Sequence, residues 1–311
     1  MHRFAVPDLF VAGHDPSILA ERLEYLRRHR YCLMDLRELL KHVDEGIPLK
    51  KNAVVFTVDD GYADFVEVGA PVFAAYDCPV TVFLVTDFVS GTLWNWFDRV
   101  EWAFGNSKRG GIDIEINGKS LMFRWTDEAQ RARACLMVIE ALKRIPDREK
   151  EDSIVLLSRL LEVAIPESAP EKYRAMSWQQ VRACGTKGVT FGPHTLSHPI
   201  LTQVDPVRAD REISASWRAV SASTDAAVPV FCYPNGTALD FSPRDKESVA
   251  RAGMTAALST MDGSLESTAT GLEVDDRYSI PRFAYSEERS ALVQIASGLE
   301  QRKTRIRRRL G

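Results

Sequence analysis

One short stretch, Ala53 to Phe65 (AVVFTVDDGYADF), constrains the fold more than any other part of this 311-residue chain. It opens with an unbroken apolar and β-branched run, which is typical of a strand buried on both faces of a parallel sheet. The run ends in two adjacent carboxylates, Asp59 and Asp60, at the point where α/β folds bind ligands. Burying both acids is unfavourable without a cation or hydrogen bonds. The alternative is a solvated turn, since Asp-Asp-Gly is a good turn sequence.

A second strand-and-loop pattern supplies side chains that bind metals. The strand predicted at 188–192 (GVTFG) is followed by His194 and His198, two of the six histidines in the chain. Imidazoles four residues apart can lie on one side of a turn or helix, as a divalent ion requires. With one carboxylate they form a facial triad that leaves positions open for water, which is typical of a catalytic metal site. An isolated H-x-x-x-H also arises by accident, so this pattern gains weight only beside the acidic pair.

Three segments resemble motifs of the polysaccharide deacetylases, the NodB-homology group of carbohydrate esterases. TVDDGYAD at 57–64 resembles the first motif, HTLSHP at 194–199 the metal motif, and VFCYPNG at 230–236 the F-A-Y-P-x-G motif. They occur in family order, and the third is similar to the Y-P-x-G subgroup. The resemblance covers most of the chain. It implies an α/β fold, a distorted NodB-like (β/α) barrel of about seven parallel strands.

The resemblance also implies a role for each motif residue. Asp60, His194 and His198 would bind one divalent ion; zinc suits this ligand set best, with Co²⁺, Ni²⁺ or Fe²⁺ as alternatives. Asp59 would be the general base that accepts a proton from water. The backbone N–H of Tyr233 would donate to the oxyanion that forms on the substrate.

Two departures from the family affect this chemistry. The Arg that precedes the third motif in classical members is absent, and Arg282, in SIPRF, is predicted to orient Asp59 instead. The L-x-H motif, whose His is the family's general acid, is missing, because no histidine follows His198. His14, in a predicted loop, is the only substitute that the sequence offers. Alternatively, protonated Asp59 returns its proton to the leaving amine.

The segment from 91 to 176 interrupts the alternation of strands and helices. The sequence predicts an aromatic-rich helix at 93–104, a hairpin around Asn117-Gly118, and helices at about 127–145 and 148–163. We interpret it as a helical and hairpin insertion within a single domain that spans 1–311. Its tryptophans either stack on sugar rings or form the insertion's own small core, and the core is the favoured interpretation. They are Trp94, Trp96, Trp102 and Trp125.

Composition excludes several classes of protein. A net charge of −3 excludes a nucleic-acid-binding protein, and no apolar run reaches transmembrane length. Five scattered cysteines without C-x-x-C favour reduced thiols and, with no apolar leader segment visible, a cytoplasmic location. Residues 301–311 carry six Lys or Arg and no acid. This end is predicted to be a solvated tail, with weak contact to a membrane surface as the alternative.

The sequence therefore predicts a metal-dependent hydrolase that removes the N-acetyl group from an N-acetylated sugar or oligosaccharide and releases acetate. The substrate would be a surface polysaccharide or its precursor, and a cytoplasmic location favours a nucleotide- or lipid-linked precursor. One alternative is a catalytically weak or inactive glycan-binding relative. Another is a hydrolase of a different small amide, such as a formyl group or a cyclic ureide. Retention of Asp59 favours an enzyme, whereas the missing general acid favours a binding protein.

Overall fold

The computed structural model describes residues 1–50, 52–268, 271–273 and 276–299. The strands are β1 (Cys32–Leu33), β2 (Ala53–Val54), β3 (Phe56–Val58), β4 (Val80–Leu84), β5 (Gly111–Ile116), β6 (Lys119–Arg124), β7 (Val189–Pro193), β8 (Val230–Cys232), β9 (Ala256–Leu258), β10 (Glu266–Thr268) and β11 (Gly271–Glu273). The basic end at 301–311, which is predicted to be a solvated tail, lies outside the described residues.

The helices lie between these strands and follow them. They are α1 (Pro16–Arg28), α2 (Leu36–Glu45), α3 (Ala70–Ala75), α4 (Thr86–Val89), α5 (Trp96–Asn106), α6 (Glu128–Leu142), α7 (Asp147–Leu160), α8 (Trp178–Gly185), α9 (Pro206–Ser223), α10 (Pro243–Arg251) and α11 (Arg289–Ala296). A π-helical turn, Phe65–Gly69, leads into α3, and short 3-10 turns lie at Pro7–Leu9, Glu171–Tyr173 and Leu201–Gln203. No helix in the described part of the chain is long and apolar enough to cross a membrane.

The central sheet is parallel. β3 pairs with β4, and β4 with β7, in the register Phe56 to Val80 to Val189. Parallel pairs also join β1 to β2 and β8 to β9. Single parallel bridges join β7 to Ala227 and β9 to Ile280. The predicted α/β class with a parallel sheet is therefore confirmed, while closure into a barrel of about seven strands stays a prediction.

Burial explains why these runs are strands. All five residues of β4 and all five of β7 are buried, as are those of β8 and β9. Helices cover the sheet; α1, for example, buries Leu19, Leu23 and Leu26 in the core that holds β3 and β4. This is the pattern of a parallel sheet with both faces covered, in which strands read as continuous apolar runs. The carboxyl ends of β3, β4, β7 and β8 carry the loops that form the candidate site.

Local signals in the sequence fix several helix ends. Asp15 caps α1 by accepting hydrogen bonds from the N–H groups of Ser17 and Ile18. Ser177 and Gln180 form the predicted capping box at the start of α8. Because such caps satisfy N–H groups that have no partner within the helix, they determine where each helix begins. The predicted α8 start is confirmed.

The 91–176 segment forms its own hydrophobic core. Residues of α5, α6, α7 and the antiparallel β5–β6 hairpin enclose it, and Trp96 and Trp125 lie inside it. The hairpin turns at Asn117 and Gly118, both with positive φ, as a two-residue Asn-Gly turn requires. Trp94 is also buried, with its indole N–H donating to a backbone carbonyl. These tryptophans are core residues, so the alternative of a sugar-stacking platform is wrong for them.

Candidate metal and catalytic site

Three predicted metal ligands meet at the carboxyl ends of neighbouring strands. Asp60 follows β3, His194 follows β7 directly, and His198 lies four residues further along the same loop. The Nε2 atoms of His194 and His198 lie 3.6 and 3.5 Å from Asp60 Oδ1. All three side chains are buried, and their ligand atoms lie within 4.8 Å of one another. The spacing suits three ligands that share one ion.

The backbone of this site adopts left-handed conformations that are uncommon for residues with a side chain. Asp60 has φ 76°, Thr195 has φ 69° and His198 has φ 58°. Gly61 follows with φ 90°, and a Cβ there would lie 2.9 Å from the side chain of Leu84. Such conformations cost about 1–3 kcal/mol each and cluster at functional sites, where the surrounding structure enforces them. The strain indicates that the conformation of these two loops serves a function rather than the stability of the fold.

One hydrogen bond fixes the proton of His194. Its Nδ1 lies 2.7 Å from the backbone carbonyl oxygen of Cys232, at the end of β8. Because a carbonyl can only accept, Nδ1 carries the proton and donates it, which leaves the lone pair on Nε2. That lone pair faces Asp60, as in a metal-binding histidine held by a partner outside the ligand set.

The residues present fit a divalent cation. Asp60 Oδ1 is buried, and it finds no hydrogen-bond donor in the described part of the chain. Among the described residues, no Lys or Arg forms an ion pair with it. Burial and the charge of neighbouring Asp59 raise the pKa of Asp60 to about 8. A cation between Asp60 and the imidazoles of His194 and His198 would satisfy this oxygen and favour its ionised form.

Asp59 is held differently, by an arginine. Arg282 donates to both oxygens of Asp59, at 2.9 Å each, and Asp59 is 3% exposed. The same guanidinium donates to Thr57 Oγ1 at 2.9 Å and to the Ser259 carbonyl at 3.1 Å. Burial would raise the pKa of Asp59, but Arg282 and His194 hold it well below its usual range. The carboxylate is therefore ionised and fixed in orientation.

A second set of potential ligands lies next to the first. Asp59, His194 and the thiol of Cys232 also come within 4.8 Å of one another. This set already contains a cation, because Arg282 pairs with Asp59 and its Nη2 lies 3.0 Å from the Cys232 sulfur. A metal ion there would be repelled by the guanidinium at close range. The set that includes Asp60, which has no such cation, is the better site.

A histidine that the motifs do not include lies beside Asp59. His2 Nε2 is 3.8 Å from Asp59 Oδ2, and the His2 side chain is 59% exposed. The Asp59 N–H donates to the Met1 carbonyl at 2.8 Å. Arg3 donates to Asp64 at 2.6 Å, which holds this segment against the loop after β3. His2 is therefore placed between the buried carboxylate and solvent.

No pattern in the sequence identifies His2, because its contact with Asp59 depends on how the first residues pack on the sheet. The predicted substitute for the missing acid, His14, lies elsewhere. Its Nδ1 is 3.4 Å from a Glu287 oxygen, and its ring packs edge-on against Tyr285. The prediction that His14 replaces the general acid is wrong.

The structure also changes the interpretation of Tyr233. Its N–H, predicted to donate to the oxyanion, donates to the Leu258 carbonyl at 3.2 Å as part of the β8–β9 ladder. Its ring stacks on Phe241, and its hydroxyl donates to the Tyr278 carbonyl. Tyr233 therefore lies at the edge of the site with its N–H already engaged. In this conformation it is not an oxyanion donor, because a ladder hydrogen bond occupies its only backbone donor.

The 91–176 segment contributes to the walls of the site. The Phe97 ring in α5 packs edge-on against the His198 ring, with centroids 5.3 Å apart. The Tyr62 hydroxyl donates to Asp98 at 2.6 Å and accepts from Asn95 at 3.0 Å. Tyr62 belongs to the first motif, so these bonds fasten α5 to the loop after β3. The sequence missed these contacts because no spacing relates the segment to the motifs.

Comparison with known proteins supports the family. The family model described as polysaccharide deacetylase matches residues 158–257. A search of curated protein sequences gives no significant match. The resemblance predicted from the three motifs is confirmed by this match together with the structural similarities that follow.

Several solved structures share the fold. The Streptococcus pyogenes deacetylase PplD in complex with acetate has a TM-score of 0.59 at 15% identity, covering 95% of each chain. IcaB from Ammonifex degensii has a TM-score of 0.56 at 14% identity, covering 95% of this chain and 94% of that chain. A de-N-acetylase from Aggregatibacter actinomycetemcomitans has a TM-score of 0.55 at 13% identity, with coverages of 93% and 94%. The fold is therefore a NodB-like α/β fold.

Proposed function

We propose that this chain is a metal-dependent N-deacetylase that removes the acetyl group from an N-acetylated sugar of a surface polysaccharide or its precursor. The observation that carries the proposal is that two adjacent carboxylates lie in different environments. Asp60 is buried with an unpartnered oxygen beside two imidazoles, and Asp59 is held ionised by Arg282. The deacetylase family model and the deacetylases among the solved structures support the choice of reaction.

Asp60, His194 and His198 would hold the divalent ion, for which zinc fits best. When bound, such an ion lowers the pKa of a water molecule and polarises the acetamide carbonyl. The ligand set is one carboxylate and two imidazoles, which leaves room for water and substrate. Co²⁺, Ni²⁺ and Fe²⁺ accept the same ligands.

Asp59 would act as the general base. Its carboxylate is ionised and fixed by two hydrogen bonds from Arg282, so it can accept a proton from water without first reorienting. The water oxygen then bonds to the acetyl carbon. Arg282 is a positioning residue in this scheme, because it contacts Asp59 and orients it.

His2 would deliver the proton to the leaving nitrogen. Desolvation at the site lowers the pKa of His2 below its ordinary value, so the resting imidazole is neutral at pH 7. A small movement of its exposed side chain from the resting distance of 3.8 Å would bring it within hydrogen-bond distance of Asp59. It would then take up the proton that Asp59 has received and pass it to the nitrogen as the C–N bond breaks. The products are acetate and a free amine on the sugar. This relay replaces the general acid that the chain lacks at the expected motif.

The remaining sequence predictions are retained as part of the proposal. The parallel pairings support a distorted barrel of about seven strands, with the 91–176 segment as an insertion in one domain spanning 1–311. The separate core of that segment supports its interpretation as an insertion. The cytoplasmic location stays a prediction.

The direct test is release of acetate by the zinc-loaded protein. The panel is N-acetylglucosamine, its oligomers of different linkage, a nucleotide-linked N-acetyl sugar, an N-formyl sugar and a cyclic ureide. Acetate and free amine should form in equal amounts from at least one N-acetylated member. The matched control is Asp59→Asn, which keeps the metal ligands and should lower the rate by about 100-fold or more.

The other outcomes identify the alternatives. Turnover of only the formyl sugar or the ureide would replace the proposal with hydrolysis of another small amide. Saturable binding of an oligosaccharide without release of acetate would identify a glycan-binding relative. Full activity after removal of the metal by a chelator would contradict metal dependence.

A further inference from the structure

A buried glutamate outside the three motifs holds the histidine loop. Glu212 lies in α9 and is 4% exposed. Its Oε2 accepts hydrogen bonds from the N–H groups of Leu196 and Ser197, at 2.9 Å each. Its Oε1 accepts from the Ser197 hydroxyl at 2.6 Å. Leu196 and Ser197 lie between the two histidines, so this carboxylate holds the middle of the loop together with the Asp87 N–H, which donates to the Leu196 carbonyl at 3.0 Å.

The loop needs such support because its backbone is strained. Thr195 and His198 both have left-handed φ, which is unfavourable for a β-branched residue and for histidine. Within the loop, the His198 N–H donates to Thr195 Oγ1 at 3.0 Å, and that hydroxyl donates to the His194 carbonyl. The N–H groups of Leu196 and Ser197 point instead to Glu212. Without that carboxylate these donors would lose their partners, and relaxation of the loop would move the His198 ring.

The charge of Glu212 is satisfied by the loop rather than by a strong ion pair. In the described part of the chain, its ion-pair partner is Arg208, whose Nε lies 3.8 Å from Glu212 Oε1 and whose side chain is 41% exposed. Arg208 makes its closer contact, 2.7 Å, with Asp147 at the start of α7. Because Arg208 is largely solvated and lies beyond hydrogen-bond distance, the three hydrogen bonds from the loop are the main partners of the carboxylate.

We propose that Glu212 is a positioning residue for the metal site, which sets the affinity of the protein for its divalent ion. The inference rests on the proposed function in one respect, that His194 and His198 bind an ion. Glu212 touches neither ligand and acts through the loop that joins them. Loss of a partner that orients a metal ligand typically weakens metal binding by about 10–100-fold.

The experiment measures the Zn²⁺ dissociation constant by competition with a chromophoric chelator. The proteins are wild type, Glu212→Ala, Glu212→Gln and the matched control Asp210→Asn. Asp210 is an exposed carboxylate on the same helix, paired with Arg251, so its removal tests the loss of an acid from α9 alone. Glu212→Ala should bind Zn²⁺ about 10–100-fold more weakly, and Asp210→Asn should bind it like wild type.

Glu212→Gln separates hydrogen bonding from charge. The Gln oxygen can accept from the two N–H groups, and its amide can donate to the Ser197 hydroxyl, so this variant should recover most of the affinity. Denaturation of the metal-free proteins gives the second readout. A merely structural glutamate would lower the denaturation midpoint of the metal-free protein and leave the dissociation constant unchanged.

Each outcome decides the inference. Wild-type affinity in folded Glu212→Ala would overturn it while leaving the proposed function intact. No Zn²⁺ binding by wild type would overturn the proposed metal site and this inference with it. If Glu212→Ala does not fold, Ser197→Ala takes its place, since it removes one of the three hydrogen bonds. It should weaken Zn²⁺ binding by less than about tenfold, and an unchanged dissociation constant would overturn the inference.

Discussion

Removal of Arg282 should lower the free energy of unfolding strongly, and the loss should be smaller when Asp59 is replaced as well. The substitution is Arg282→Met, which keeps the length of the side chain and removes its charge. In the wild type, Arg282 is 14% exposed at its side chain and makes two 2.9 Å hydrogen bonds to Asp59, which is itself buried. The variant leaves a buried carboxylate without its ion-pair partner.

The expected magnitude follows from that geometry. Removing one partner of a buried pair costs about 3–5 kcal/mol, because the other charge stays buried and uncompensated. Asp59→Asn alone should also destabilise the protein, since Arg282 loses its counter-ion. The double variant should cost less than the sum of the two single variants. The difference, the coupling free energy, should lie near the upper end of the range of about 0.5–3 kcal/mol for contacting residues.

The pH dependence of stability should change as well. In the metal-free wild type, the pKa of Asp59 lies well below its usual range because Arg282 opposes the effect of burial. The unfolded chain then binds the proton more readily, so this stabilisation is complete above about pH 5, begins to fall near pH 4, and is lost only as the pH falls towards the lowered pKa of the folded state. In Arg282→Met burial prevails and raises the pKa of Asp59. Its contribution reverses, and stability falls as the pH rises above about 4.

The assay is urea denaturation of the four chelator-treated proteins, wild type, both single variants and the double variant, at pH 7 and at pH 5. The changes in unfolding free energy of the two single variants are summed and compared with the change in the double variant. Agreement within about 0.5 kcal/mol would show that the two side chains do not interact. An Arg282→Met variant with the same pH dependence as wild type would refute the account of the Asp59 pKa.

Two further predictions concern the relay and the sheet. His2→Gln should lower kcat by about 100-fold or more without changing KM or zinc content. The control variant His14→Gln should change none of these quantities. Equal kcat in wild type and His2→Gln would remove His2 from the mechanism. Gly192→Ala should destabilise the protein by about 1–3 kcal/mol, because its Cβ would lie 2.5 Å from the Phe83 ring and 2.6 Å from the Val230 carbonyl. Thermal denaturation measures that effect, and an unchanged midpoint would show that β4, β7 and β8 pack less tightly than described.

The sequence predicted the parts of the site in which functional residues directly follow a recognisable strand. The run before Asp59 predicted a buried parallel strand, and β3 lies beside β4 in that arrangement. Because carboxyl ends of parallel strands share one edge, Asp60 and His194 could be placed together from the sequence alone. The absence of the Arg that precedes the third motif in the family that this chain resembles also led to Arg282, although Asp59 and Arg282 are far apart in the chain.

Contacts that arise only from tertiary packing could not be predicted. His2 reaches Asp59 because the first residues run along the sheet, and no spacing or propensity encodes that contact. The Tyr233 N–H was assigned from the motif, but the β8–β9 ladder extends one residue further and uses this donor. In the sequence, nothing distinguishes Glu212 from the acids that lie on the exposed faces of helices. Only the folded structure shows that it is buried against the histidine loop.

The most direct test of the central claim is the metal content of the purified protein after zinc loading and removal of free ion. The comparison includes wild type, Asp60→Asn, His198→Ala and Cys232→Ala. We expect about one ion per chain in wild type and in Cys232→Ala, and loss of the ion in Asp60→Asn and His198→Ala. Loss of the ion in Cys232→Ala and its retention in Asp60→Asn would show that Asp59, His194 and Cys232 bind it instead. Absence of bound metal from wild type would contradict the hydrolase mechanism.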